Sequence, residues 1–340
     1  MVKIVVDGFG GDNAPASVVS GVISAINANE DLHIVITGKE SLLNEEFAKY
    51  KYNNEQVTIL NAETVITNDD VPTTAIRTKR DSSLVVAFDY ARENDDCVGL
   101  ISAGSTGAVL TGAFMKCGRL KGIHRPALCP VLPTKKGGIV CICDSGANMD
   151  CKPEYLEQFS LMGSAYLKTL GIDNPRVALL NVGTEDHKGD TRAKEAFELI
   201  KNLGDKVNFV GNMEARDLLS GDYDLIVTDG FAGNVLLKST EGAVKNLLGM
   251  LKAEIKSSLI SKIGALFMKK SFGGLKSKMD YNRYGGAVLL GCKKLIVKGH
   301  GSSGATSITA CIEQVYKMSR GNLVENIANQ LSDIGTEENE

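Results

Sequence analysis

The feature that most constrains this chain is a recurring unit: a short, unbroken run of Val, Ile and Leu, a glycine turn, then a helical pattern. The runs are VKIVVD, LHIVITG, QVTILNA, CVGLISAG, GIVCICD, RVALLNVG, VNFVG, DLIVTDG and KLIVKG. Strands apolar at successive positions need cover on both faces, which is the condition of largely parallel sheets. Helical patterns intervene at 84–92, 154–170, 191–203 and 304–330. No repeat, proline-rich linker or composition break interrupts the alternation. It predicts one α/β fold over residues 1–334, a three-layer α/β/α sandwich with a mainly parallel sheet. The tail at 335–340, GTEENE, is expected to fray.

Composition narrows the function classes. A net charge of −3 exerts no general pull on nucleic acid. No apolar run approaches the roughly 18 residues of a membrane span. The opening MVKIVVDGFGG lacks the charged and apolar regions of a secretory leader, so a cytoplasmic location is expected. Eight cysteines in 340 residues do not make a disulfide framework. Cys141 and Cys143 alternate as strand residues do and Cys151 follows in a loop. Buried thiols in a reducing compartment describe them better than a metal site. The four histidines have no metal-ligand spacing. Neither a metal nor a cofactor is expected.

The 36 glycines exceed the usual share of about 7% and gather just past the predicted strands. Six clusters occupy that position, where open parallel sheets bind ligands. DGFGGDNAP (7–15) offers Asp7, Gly10, Gly11 and Asp12, and SAGSTGA (102–108) offers Gly104, Ser105, Thr106 and Gly107. DSGANMDCKP (144–153) carries Asp144 and Asn148. NVGTEDHKGD (181–190) carries Asn181, Gly183, Glu185 and Lys188. DGFAGN (229–234) holds Asp229, Gly230, Gly233 and Asn234, and KGHGSSGA (298–305) holds His300, Gly301, Ser302 and Ser303. Each cluster alone reads as a turn, but together they predict a shared binding site. A Walker A loop is absent, and GFGGDNA has Asn13 where a dinucleotide fingerprint needs its third glycine. GSTGA and GSSGA place hydroxyls where helices begin, which suits either a single phosphate or plain N-capping. GSTGA is not a nucleophile elbow.

These motifs, in this order, resemble the bacterial phosphate acyltransferase (PlsX) family over nearly the whole chain. The resemblance rests most firmly on NVGTEDHKGD, DGFAGN and YGGAVLLG (284–291), with KGHGSS close behind. One departure is at the start, where the family commonly reads D-A-M-G-G-D and this chain reads DGFGGD. The resemblance implies transfer of a fatty acyl group from acyl carrier protein to inorganic phosphate, giving acyl phosphate for phospholipid synthesis. It implies the fold of isocitrate and isopropylmalate dehydrogenases and of phosphotransacetylase, and a homodimer. It also implies a catalytic pair at Lys188 and Asn234, and a glycerol-3-phosphate acyltransferase as downstream partner.

The implied chemistry suits these residue types. Phosphate is already an anion, and a pantetheine thiol with a pKa near the cysteine value of about 8.5 leaves without strong acid help. The remaining needs are to hold phosphate against the thioester and to stabilise the tetrahedral oxyanion. Lysine is a compact cation for the first, and an asparagine amide a neutral donor for the second. Glu185, Asp186 and Asp190 are expected to keep Lys188 charged and in place.

Residues 247–278 differ in character, being long, basic and amphipathic. Ile255, Leu259, Ile263 and Leu266 recur at helical intervals, accompanied by Lys252 and Lys256. Such an arm suits a membrane interface or an acidic carrier protein, and equally a dimer contact with a solvated lysine face. The alternatives are a phosphotransacetylase-type enzyme on short acyl-CoA, a metal- and NAD-dependent dehydrogenase, and a non-enzymatic scaffold. The clusters lack the acids and arginines that the dehydrogenase would need.

Overall fold

The computed structural model, which describes residues 1–278 and 284–335, pairs the apolar runs into two sheets. The strands of the first half are β1 (Val2–Asp7), β2 (Leu32–Gly38), β3 (Val57–Asn61), β4 (Cys97–Ser102), β5 (Ala127–Cys129) and β6 (Val131–Pro133). Those of the second are β7 (Ile139–Cys143), β8 (Val177–Asn181), β9 (Phe209–Glu214), β10 (Leu225–Val227), β11 (Ala287–Leu290) and β12 (Leu295–Lys298). The larger sheet has the order β3-β2-β1-β4-β12-β11-β5 and the smaller β6-β7-β10-β8-β9. Pairing is parallel except where β11 meets β12 and β5, and where β6 meets β7. The α/β class and mostly parallel pairing stand, with the strands divided between two sheets.

Helices cover both faces. They are α1 (Ala16–Ala28), α2 (Glu40–Phe47), α3 (Pro72–Thr78), α4 (Ser83–Glu93), α5 (Thr106–Gly112) and α6 (Pro153–Thr169). After them come α7 (Thr191–Asn202), α8 (Gly230–Ser257), α9 (Leu259–Phe267), α10 (Lys269–Lys278), α11 (Ala305–Arg320) and α12 (Leu323–Gly335). Successive strand residues serve opposite layers. Ile4 and Val6 join a core with Val19 of α1 and Ile308 of α11, while Val5 joins another with Val85 and Phe88 of α4. In the smaller sheet Cys141 and Cys143 face the first core, and Val140 and Ile142 a third. That first core runs through both sheets by way of α6, where Phe159, Met162 and Tyr166 are fully buried. Each such side chain contributes about 1.5–3 kcal/mol of apolar burial. The Tyr166 hydroxyl accepts from Gln314 Nε2 on α11 at 2.6 Å, so its one polar atom is satisfied.

The join between the sheets is a single segment. Pro130 alone separates β5 from β6, so one extended stretch leaves the edge of the large sheet and enters the edge of the small one. Proline, lacking an N–H, is tolerated where a ladder changes partner. These short strands and β11 escaped the sequence reading.

Two helical expectations are corrected. The pattern at 304–330 is two helices, because Gly321 and Asn322 break it and Asn322 adopts a left-handed φ of 51°. Residues 247–278 are not one helix either. They comprise the end of α8, then α9 and α10, with Ser258 extended (φ −133°, ψ 157°) and its hydroxyl accepting from the Ser261 N–H to cap α9. The expectation of a frayed tail falls, beyond Gly335, outside the described residues.

Candidate functional site

A cleft of about 430 Å³ opens between the two sheets, at the carboxyl ends of β4 and β12 on one side and β7 and β10 on the other. The segment that crosses between the sheets forms an apolar wall of Leu128, Pro130, Val131 and Leu132, which Leu237 of α8 extends. The same cleft is lined by Thr106, Ser145, Asn234, Lys298, His300 and Tyr284. The volume and the mixture of a broad apolar wall with a few converging polar groups fit a small-molecule site.

The predicted residues divide into those on the cleft and those that build it. Thr106, Asn234, His300 and Gly301 line it. Asn234 is the fifth residue of α8, whose start is fixed by the Asp229 carboxylate accepting from the Ala232 N–H at 2.8 Å. An asparagine at that place presents its amide beyond the sheet edge, beside the backbone of Gly146.

Asp7, Asp144 and Asn148, expected to touch substrate, are buried and committed to the scaffold. Asp144 accepts from the backbone N–H groups of Leu128 (2.7 Å) and Asn148 (2.6 Å) and from Asn148 Nδ2 (3.0 Å). The Asn148 amide also donates to the Pro126 carbonyl at 2.8 Å. One carboxylate thus ties β5 to the turn after β7, and burial pushes its pKa up against the pull of these donors. Asp7 accepts from the Ser102 hydroxyl at 2.7 Å, and Ser102 in turn accepts from the Gly104 N–H at 3.0 Å. Burial likewise pushes Asp7 up.

The glycines there follow from close approach. A Cβ on Gly10 would stand 2.6 Å from Asp7 Oδ2, and one on Gly233 2.0 Å from the Asp144 carbonyl oxygen. Gly230 is equally crowded, against Asn148 O at 2.6 Å. Gly11, with φ 101°, passes beside Gly301, whose carbonyl accepts from the Asp12 N–H at 2.7 Å. The departure at Phe9 has a local account: its ring packs on Gly38, where a Cβ would be 2.2 Å from a ring carbon.

Neither hydroxyl cluster caps its helix. Ser105 precedes α5 without a side-chain capping bond, and the N-cap of α11 is Gly304. Ser302 Oγ lies 2.8 Å from His300 Nδ1, and Ser303 Oγ 3.1 Å from Ser307 Oγ. Gly107 packs against Pro72.

Lys188 is half-buried in the loop after β8 and is not part of the cleft lining. Its carbonyl accepts from Asn181 Nδ2 at 3.0 Å, its N–H donates to Glu185 O at 3.1 Å, and its side-chain methylenes pass close to Gly183. Two of the three expected acids are engaged elsewhere. Asp190 caps α7 through the Ala193 N–H, and Asp186 lies 3.8 Å from Lys201. Among the described residues Lys188 makes no ion pair, which corrects the expected clamp. The loop is joined to the Asn234 helix through Arg192, 3.8 Å from Asp190 and 2.9 Å from Asp229.

The reading of the sequence missed Lys298, Ser145, Tyr284 and the apolar wall. Lys298 had a visible signal, since KLIVKG ends a fully apolar strand on a cation. Burial lowers its pKa to about 8. All eight cysteines are buried and free.

The chain is similar to a family described as fatty acid synthesis protein, whose model matches residues 2–326. It is 46% identical to the phosphate acyltransferase of Clostridium tetani (strain Massachusetts / E88), over 98% of this chain and 99% of that one. It is 45% identical to the phosphate acyltransferase of Clostridioides difficile (strain 630), over 99% and 98%. Among solved structures, a phosphotransacetylase from Streptococcus pyogenes superposes with a TM-score of 0.63 at 16% identity, covering 94% of both chains. A branched-chain phosphotransacylase from Enterococcus faecalis V583 does so with 0.56 at 13% identity, covering 93% of this chain and 98% of the other. These two share the fold.

Proposed function

The chain belongs to the phosphate acyltransferase family, and we propose that it transfers a long-chain fatty acyl group from acyl carrier protein to inorganic phosphate, releasing acyl phosphate for phospholipid synthesis. The observation that carries this reading is the mixed lining of the cleft. Leu128, Pro130, Val131, Leu132 and Leu237 offer a path for methylenes, and Asn234, Lys298 and Thr106 supply donors to the same cavity. In the step proposed, a phosphate oxygen attacks the thioester carbonyl, the C–O bond forms, and the carbonyl electrons collapse to expel the pantetheine thiolate. Asn234 donates to the oxyanion, and Lys188 supplies positive charge to the transition state from the loop after β8. No protein nucleophile is acylated.

The test is thiol release from long-chain acyl carrier protein with and without phosphate, the product being trapped as its hydroxamate. Release should require phosphate and fall about 100-fold or more in Lys188→Ala. Release from short acyl-CoA alone would indicate the phosphotransacetylase-type alternative, and release without phosphate would end the reading.

The same reading places the arm at a membrane surface. Among the described residues no helix is long and apolar enough to cross a membrane. On α9, however, Leu259, Ile260, Leu266 and Phe267 are 73%, 84%, 70% and 87% exposed, and Lys262, Lys269 and Lys270 lie among or just beyond them. An apolar face bordered by lysines suits the interface of an anionic bilayer. The product is itself lipid-like, and α8 connects the arm directly to the turn bearing Asn234. Co-sedimentation with anionic vesicles should be lost when Leu259→Glu and Ile263→Glu are combined. Persistence of binding would instead favour a protein contact for α9.

A further inference from the structure

The large sheet ends one of its inner strands on a lysine. Lys298 lies in register with Ser102 of β4 and Ala287 of β11, and Ser102 donates to Asp7 at the end of β1. The side chain is only 8% exposed, yet it lines the cleft. Among the described residues Lys298 makes no ion pair. Its ammonium donates to the main-chain carbonyls of Ala103, at 3.5 Å, and Gly299. Carbonyl dipoles return part of the hydration energy that a buried cation loses, and an anion returns more. Backbone hydrogen bonds hold the ammonium at the strand end while its charge lacks a carboxylate partner.

We propose that Lys298 is a substrate-binding residue that seats the inorganic phosphate in the cleft it lines with Thr106 and Asn234. This rests on the reading of the cleft as the phosphate acyltransferase site. It gives the two lysines separate tasks, ground-state phosphate binding for Lys298 and transition-state charge for Lys188.

The electrostatics give this seat a pH signature. Burial lowers the ammonium to about 8; Cys311 of α11 raises it, Lys238 of α8 lowers it, and Asp7 and Asp12 raise it. His300 and Glu241 line the same cleft. The constant is below that of an ordinary lysine, so the charge is intact below about pH 8 and lost above it. Phosphate affinity therefore falls as pH rises through that value, and binding above it takes up a proton.

The experiment compares full-length wild type, Lys298→Met and Lys298→Arg. It measures phosphate KM in the thiol-release assay, and free phosphate by phosphorus NMR line broadening, across one pH unit either side of about 8. Lys298→Met should raise phosphate KM by about 10- to 100-fold, the loss of one charged hydrogen bond. Lys298→Arg should restore much of the binding and abolish the break near pH 8. Wild-type turnover with phosphate, but unchanged KM and pH profile in Lys298→Met, would overturn the proposal and leave the function standing. Neither phosphate broadening nor phosphate-dependent release in wild type would overturn both. If Lys298→Met does not fold, Lys298→Gln, which keeps a donor for the carbonyls of Ala103 and Gly299 without the charge, decides, and an unchanged phosphate KM in that variant rejects the proposal.

Discussion

Asn234→Ala is expected to lower kcat by about 100- to 1000-fold while leaving phosphate KM within a few-fold of wild type. Asn234 lines the cleft near the start of α8, and in the proposed reaction its amide donates to charge that forms only once phosphate has attacked. An interaction made only in the transition state is lost from kcat rather than from substrate binding. Folding provides the control. Alanine is the better helix former, and Asn234 accepts no capping role, which belongs to Asp229. The melting temperature should therefore hold or rise while turnover collapses. An enzyme with wild-type kcat after this substitution would remove Asn234 from the proposed chemistry.

The residue before it carries the largest expected structural effect. Gly233→Ala should destabilise the fold by about 3 kcal/mol or more, the upper end for forcing extra volume into a packed site. The new Cβ would stand 2.0 Å from the Asp144 carbonyl oxygen and 2.8 Å from Thr228 Cγ2. Neither neighbour can step aside cheaply. Asp144 is held by the N–H groups of Leu128 and Asn148, and Thr228 exchanges backbone bonds with Cys143 and Asp144. The same helix holds a contrasting glycine. A Cβ on Gly242 would meet nothing within 4 Å, so Gly242→Ala should stabilise by about 0.5–1 kcal/mol through helix propensity alone. Thermal unfolding of the two variants side by side gives opposite signs, and a melting temperature for Gly233→Ala equal to wild type would refute the crowding argument.

How much of this was legible before the structure follows from what each signal depends on. Strands such as KIVV and HIVI announce themselves because both of their faces are buried, and the glycine motifs mark the strand ends that face ligand. Asn234, Thr106 and His300 were found in that way, and they do line the cleft. Asp7 and Asp144 belong to the same clusters, but composition cannot tell a carboxylate aimed at a ligand from one saturated by backbone N–H groups. The helix break at Gly321–Asn322 was readable in principle as a left-handed stop; the apolar periodicity on either side concealed it. The strands β5, β6 and β11 were not readable, because three or four residues carry too little pattern, and β5 pairs with β11 far along the chain.

The α/β class, the mostly parallel pairing and the family were legible in the chain alone, since these rest on local burial patterns and on motifs whose order is unaffected by folding. The division of the strands into two sheets, the crossing of one segment between them through Pro130, and the presence of Lys298 and Asn234 in one cleft whose lining excludes Lys188 emerge only in three dimensions. The physical reason is that strand register and sheet order are long-range choices. They depend on which side chains fill a shared core, and Lys298 owes its place to pairing with β4 and β11 and its lowered pKa to burial, with Lys238 of α8 adding to the lowering, none of which a local window contains.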